Sequence, residues 1–271
     1  MGYFLLLFAL AVTPFALYHW WRRARRARLL SQRLSREERA QMHALVPLTR
    51  RLPPELHERL EGRICLFLDQ VDFTALGGLK LTEEMRLSIA AQACLLIAGT
   101  GLWYDNLRAV LIYPGAFKSR TQEHSGYVVT EQETVRLGES WSHGRIVLSW
   151  QHTAQGAEDD EDGLNVVFHE FAHQIDDLSG STNGVPVLAE GQSFDDWERV
   201  FLKAYRDHVR RVERGAQTLI DPYGATAHEE FFAVLIELFF ERPTALKADE
   251  PEVYAQLTKL LGLDPASWDG T

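Results

Sequence analysis

Asn165-Val166-Val167-Phe168-His169-Glu170-Phe171-Ala172-His173-Gln174-Ile175-Asp176-Asp177-Leu178-Ser179-Gly180 is the stretch on which the reading of the chain turns. Its apolar residues supply one face of a helix, and Asp176 to Gly180 reads as a polar end followed by a glycine stop. His169 and His173 are four apart, so on a helix they lie one above the other and can reach one Zn²⁺. Glu170 projects at the rim of that face, where it can polarise a metal-bound water. This is the His-Glu-x-x-His pattern of zinc peptidases. The five-residue pattern also arises by chance, so further ligands have to be sought downstream.

The chain has 271 residues and a formal net charge of −10. Arg22, Arg23, Arg25, Arg26 and Arg28 crowd one short segment, which leaves the remainder more acidic than the total. An acidic body disfavours direct nucleic-acid binding, which depends on neutralising phosphates. Cys65 and Cys94 each sit in an apolar run and read as two buried thiols, not as a disulfide or a metal site.

Tyr3 to Trp21 carries no Asp, Glu, Lys or Arg and ends in His19-Trp20-Trp21 before the arginines begin. Nineteen residues at helical rise span roughly 28 Å, the thickness of a bilayer core. Trp20 and Trp21 would sit at the interface and the arginines on the cytoplasmic side. Residues 1–30 are therefore expected to be a single-pass inner-membrane anchor with a basic juxtamembrane segment, and 31–271 a cytoplasmic domain. The alternative is a soluble cytoplasmic chain.

Downstream, Ser35-x-x-Glu38 forms a capping box within a charged helical stretch, and Pro54 or Glu55 starts a helix to about Gly62. Ile64–Leu68 reads as a short strand or buried turn, 69–79 as loop, 82–97 as a helix and 107–113 as a strand. Residues 118–141 are polar, with a short strand at 126–129, and 145–150 is a β-branched strand. Glu158 to Asp162 is a solvated acidic loop whose charge suits the start of the metal helix. Helices follow at 194–215, 226–240 and 250–261, with a turn at Asp221-Pro222-Tyr223-Gly224. The expected class is α+β, mostly helical with a small mixed sheet.

A catalytic zinc usually has three protein ligands and an open position. The apolar helix near 226–240 carries His228, Glu229 and Glu230, which spacing alone does not separate. A carboxylate in such a helix needs a partner, and zinc would serve. Glu237, two turns beyond Glu230, could hold a histidine ligand from behind.

His169-Glu170-Phe171-Ala172-His173-Gln174-Ile175-Asp176, Asp221-Pro222-Tyr223 and Glu230-Phe231-Phe232-Ala233, with Phe239-Phe240 following, resemble the Mlc titration factor A family of bacterial zinc aminopeptidases. That family's catalytic domain is similar to that of anthrax lethal factor. The resemblance covers most of residues 45–265 and implies a zincin-like metallopeptidase domain. It implies one Zn²⁺ on His169, His173 and Glu230, Glu170 as general base, and Tyr223 as donor to the transition state. Residues 1–30 depart from the family pattern, whose familiar members are soluble, so the membrane placement rests on hydropathy and not on the resemblance.

The expected function is thus a zinc-dependent peptidase, an aminopeptidase acting on peptides. Water on the metal would attack the carbonyl, Glu170 would carry its proton, and Tyr223 would stabilise the oxyanion. The strand at 145–150 would offer an edge to the substrate, with Ser149, Trp150 and His152 in contact. Asp176, Asp177 or Glu190 would hold the substrate amine, while His124 and His143 read as loop histidines. The resemblance also implies a transcriptional repressor, Mlc, as protein partner. The alternative function is a non-catalytic zinc-containing protein that sequesters a transcription regulator.

Overall fold

In the computed structural model, the backbone is described for residues 2–125, 128–136, 138–141 and 144–268, and side chains for 13–116 and 144–268. The side chains of His124 and His143 lie outside the described residues, as does the start of the expected strand at Gly126-Tyr127.

Helix α1 (Gly2–Ser31) is followed by α2 (Arg36–Leu45), which opens on the Ser35–Glu38 capping box read from the sequence. Helix α3 (Pro54–Gln70) starts with proline in its first turn, where the missing N–H costs nothing. It continues through Ile64–Leu68, so that segment is helix and not strand: Ile64, Leu66 and Phe67 are all buried in the core. Strand β1 (Asp72–Ala75) lies where a loop was expected. Helix α4 (Glu83–Leu96) is capped by Thr82, and strand β2 (Ala109–Tyr113) follows. Strands β3 (Phe117–Ser125) and β4 (Val128–Arg136) make an antiparallel hairpin, and β5 (Gly138–Trp141) leads to β6 (Arg145–Ser149). Then come α5 (Trp150–Glu158), α6 (Val166–Asp177), α7 (Phe194–Glu213), α8 (His228–Glu241), α9 (Pro243–Asp249) and α10 (Pro251–Leu261).

The principal sheet has the order β1-β2-β6-β5, parallel except for β5 against β6. This is a mostly helical α+β arrangement with a small mixed sheet. Strand β6 pairs on both sides, with β2 and with β5, so its backbone has no edge to offer an extended peptide. Its burial agrees: Ile146, Val147, Leu148 and Ser149 are all inside. Trp150 belongs to the first turn of α5, not to the strand.

The membrane span expected over Tyr3–Trp21 is corrected: no helix among the described residues is long and apolar enough to cross a membrane. With it go the transmembrane helix in the fold class, the membrane partner and the inner-membrane placement. Helix α1 does not end at a bilayer boundary. It runs through the arginines to Ser31 as one helix, and its basic half is laid against the domain. Arg25 meets Asp69 at 2.7 Å, and Arg26 pairs with Asp105 at 3.5 Å while its guanidinium stands over Trp103. The Leu30 carbonyl comes so close to Gly62 that a Cβ would collide with it, which is why α3 has glycine there. Two of the charges that would flank a bilayer, Arg25 and Arg26, are thus engaged by the domain.

Helices α6 and α8 form the centre. Phe171 packs between Phe67 and Tyr104, with ring centroids at 5.8 and 5.1 Å, and Phe168 meets Phe240 at 5.0 Å. Val167, Phe168, Phe171, Ala172 and Ile175 are buried, but so are Glu170, His173, Gln174 and Asp176 of the same helix. An interior helix with that many polar side chains needs partners for them.

Candidate metal centre

Asn165 caps α6, its side chain accepting from the Val167 and Phe168 amides at 3.0 Å each. From that fixed start His169 and His173 project towards α8, their ring centroids 4.9 Å apart and nearly perpendicular. Glu230, in the first turn of α8, receives both: its Oε2 lies 2.9 Å from His169 Nε2 and 3.4 Å from His173 Nε2. One donor atom from each of His169, His173 and Glu230 lies within 4.8 Å of the others, so the three could hold one metal ion. His228, exposed and with its ring tilted against that of Tyr205 at a centroid distance of 4.0 Å, is outside this group, and so is Glu229.

The residues fit such an ion. Two imidazoles and a carboxylate are a donor set that suits zinc among the divalent metals. His173 turns Nε2 towards Glu230, and its Nδ1 is buried without a hydrogen-bond partner among the described residues. Glu237, two turns along α8, places Oε1 2.8 Å from His169 Nδ1, the contact that fixes which ring nitrogen is left for a metal.

Electrostatics follow the packing. Burial would push the His169 imidazolium down, but hydrogen bonds to Glu230 and Glu237 prevail and hold it well above the usual histidine range. Burial acts upward on Glu230, and the two histidines overcome it, keeping the carboxyl well below its ordinary value. Glu237 is pushed up by burial despite His169.

Tyr223 stands half-exposed on the short 3-10 turn Pro222–Ala225, its ring 5.9 Å from that of His169. Asp221 accepts from the Tyr223 amide at 2.7 Å and sets the turn. Glu170 is buried on α6, beside His169 in sequence. Asp176 is fully buried: it accepts from the Gly184 amide at 2.6 Å, and burial pushes its carboxyl up to about 6. Asp177 is hydrogen-bonded to Asn106, and Glu190 is exposed. Ser149 is fully buried: it caps α5 and meets His152 Nδ1 at 2.7 Å.

Three residues behind the site carried no weight in the sequence: Asn165, Gln92 and Glu241. Asn165 stands directly before the apolar run, the position where an asparagine caps a helix, and that signal was available. Gln92 and Glu241 had none, because their role comes from the meeting of α4 with α8. Glu241, pushed up by burial to about 9 from 4.5, keeps its proton at neutral pH. A carboxyl whose folded pKa exceeds its unfolded one holds its proton in the folded chain alone between the two values. Its contribution is complete below about pH 4.5 and is lost as pH rises towards 9. Urea unfolding from pH 5 to 9 should therefore show stability falling, with a shallower slope in Glu241→Gln; equal slopes would contradict the assignment.

Comparison with known proteins places this arrangement. The family described as glucose-regulated metallo-peptidase M90 matches residues 18–261. An uncharacterized protein of Synechocystis is 40% identical over 92% of this chain and 91% of its own length. Mlc titration factor A of Yersinia pestis is 35% identical over 81% of this chain and 82% of its own, and that of Pectobacterium atrosepticum 33% over 81% and 84%. The family description contains the word peptidase, whereas these named relatives are called Mlc titration factors, after the titration of Mlc. The reading of this chain as a zinc aminopeptidase acting on peptides is corrected on that ground. With the expected motifs gathered at one centre and the match running through nearly the whole domain, the chain belongs to the M90 family that includes Mlc titration factor A.

Proposed function

We propose that the chain is a regulatory binding protein that sequesters a transcription regulator of the Mlc kind, and that it holds one zinc ion through His169, His173 and Glu230. The observation that carries this reading is the kinship with proteins named as titration factors of Mlc over four-fifths of the chain. Sequestration works by mass action: each regulator held by protein is withdrawn from DNA. The acidic balance of the chain supports a protein target, since the same charge disfavours its own binding to the regulator's DNA site.

In this reading residues 31–271 are the binding unit. Zinc would tie α6 to α8, supplying a cross-link between two helices that already share the core, with Glu237 holding His169 in place. Glu170 and Tyr223 belong to the metal's surroundings.

The reading is tested by titrating purified Mlc into the purified full chain in a calorimeter. A Kd of about 1 μM or tighter is expected, as for a regulatory interface of ordinary size. Glu170→Gln should leave it within about twofold, a difference worth less than 0.5 kcal/mol. Absence of heat and of a co-eluting complex at about a hundred times that concentration would remove the proposal.

A further inference from the structure

The N-terminal end of α6 is closed by a buried polar cluster that reaches the metal residues through one carboxylate. Asn165 is 2% exposed and Gln92 is fully buried. The Asn165 amide nitrogen lies 3.0 Å from Gln92 Oε1, 3.0 Å from the Gly156 carbonyl and 3.0 Å from Glu241 Oε1. These acceptors come from α4, α5 and α8, so one side chain joins three elements to the start of the metal helix. Glu241 is held in turn by the Gly163 amide at 3.0 Å.

The consequence for the metal residues passes through the Asn165 backbone. Its N–H donates to Glu237 Oε2 at 2.6 Å, while the other oxygen of that carboxylate faces His169 Nδ1 at 2.8 Å. Glu237 is buried, and these two contacts hold its carboxylate. If Asn165 moves, Glu237 loses the donor that aims it, and His169 loses the contact that sets its ring. We infer that Asn165 is a positioning residue for the metal centre, setting the affinity of His169, His173 and Glu230 for a divalent ion through Glu237. This rests on the proposed metal site and goes beyond helix capping. Capping needs only the Oδ1 acceptor, whereas positioning needs the amide donors as well.

Serine separates the two roles, because it caps a helix as well as asparagine but has no amide donors. Asn165→Ser and the parent full-length chain would be compared for Zn²⁺ affinity by competition with a chromophoric chelator. Thermal midpoint and the visible spectrum of the Co²⁺-loaded protein would be recorded alongside. Positioning predicts a loss of affinity of about tenfold or more in Asn165→Ser, the range for partners that hold metal ligands, together with a shifted Co²⁺ spectrum. Zn²⁺ affinity within about twofold of the parent, with an unchanged spectrum, would overturn it even if the midpoint falls. Should Asn165→Ser fail to fold, Gln92→Ala removes one anchor of the amide and leaves the cap intact. It should weaken Zn²⁺ several-fold, and unchanged affinity there would overturn the inference too. A parent chain that binds no Zn²⁺ would instead refute the metal site itself, and this inference with it.

Discussion

Alanine at His169, at His173 or at Glu230 is expected to remove stoichiometric zinc. The donor atoms of the three residues converge within 4.8 Å, and two helices that pack against each other supply them. Losing one leaves two donors, so affinity should fall by more than the roughly 10–100-fold that loss of an outer partner costs. Glu229→Ala and His228→Ala serve as controls and should retain the metal, since neither residue belongs to the cluster. Metal analysis after gel filtration checks this directly. Full occupancy in Glu230→Ala, with loss in Glu229→Ala, would show that the wrong carboxylate has been chosen. The ligand-free variants should still fold, because α6 and α8 are held by their aromatic contacts as well.

Phe171→Ala is expected to be among the most destabilising single changes in the chain. The ring is fully buried between Phe67 and Tyr104, and it sits on the metal helix between the two histidines. Removing it leaves a cavity that the surrounding helices cannot close, at a cost of about 3–5 kcal/mol. For a domain of this size that corresponds to a fall in Tm of about 10 °C. Calorimetry in the presence of a chelator isolates the packing effect from any contribution of metal. A shift below about 2 °C would mean that the core around α6 is looser than the packing indicates.

What the sequence disclosed and what it withheld divide along physical lines. The His169/His173 pair and the support from Glu237 were legible, because helical spacing fixes which side chains share a face; Glu230 was singled out from His228 and Glu229 only by the family resemblance. A carboxylate within Phe231-to-Phe240 apolar surroundings also demands a partner. The cap at Ser35 was legible for the same local reason. Ile64–Leu68 reads from the sequence as a short strand or buried turn because a short apolar run has no period of its own; its place in a 17-residue helix shows only in the flanking turns. The interior position of β6 depends on β2 and β5, which are distant in sequence, so its lack of a free edge could not be read locally. The arginines after Trp21 were read as a bilayer flank. Their partners Asp69 and Asp105 lie more than forty residues away. Function was the hardest part: a metal-ligating pattern is a statement about coordination, and the same three donors serve chemistry or cross-linking alike.

The central claim is that this chain withholds a regulator from its DNA, and one measurement addresses it most directly. Fluorescently labelled operator DNA is saturated with Mlc, and the full-length chain is added in increasing amounts while anisotropy is followed. The account predicts a fall to the value of free DNA, with the chain alone leaving that value unchanged. Anisotropy that stays at the repressor-bound level through a large excess of the chain would contradict it.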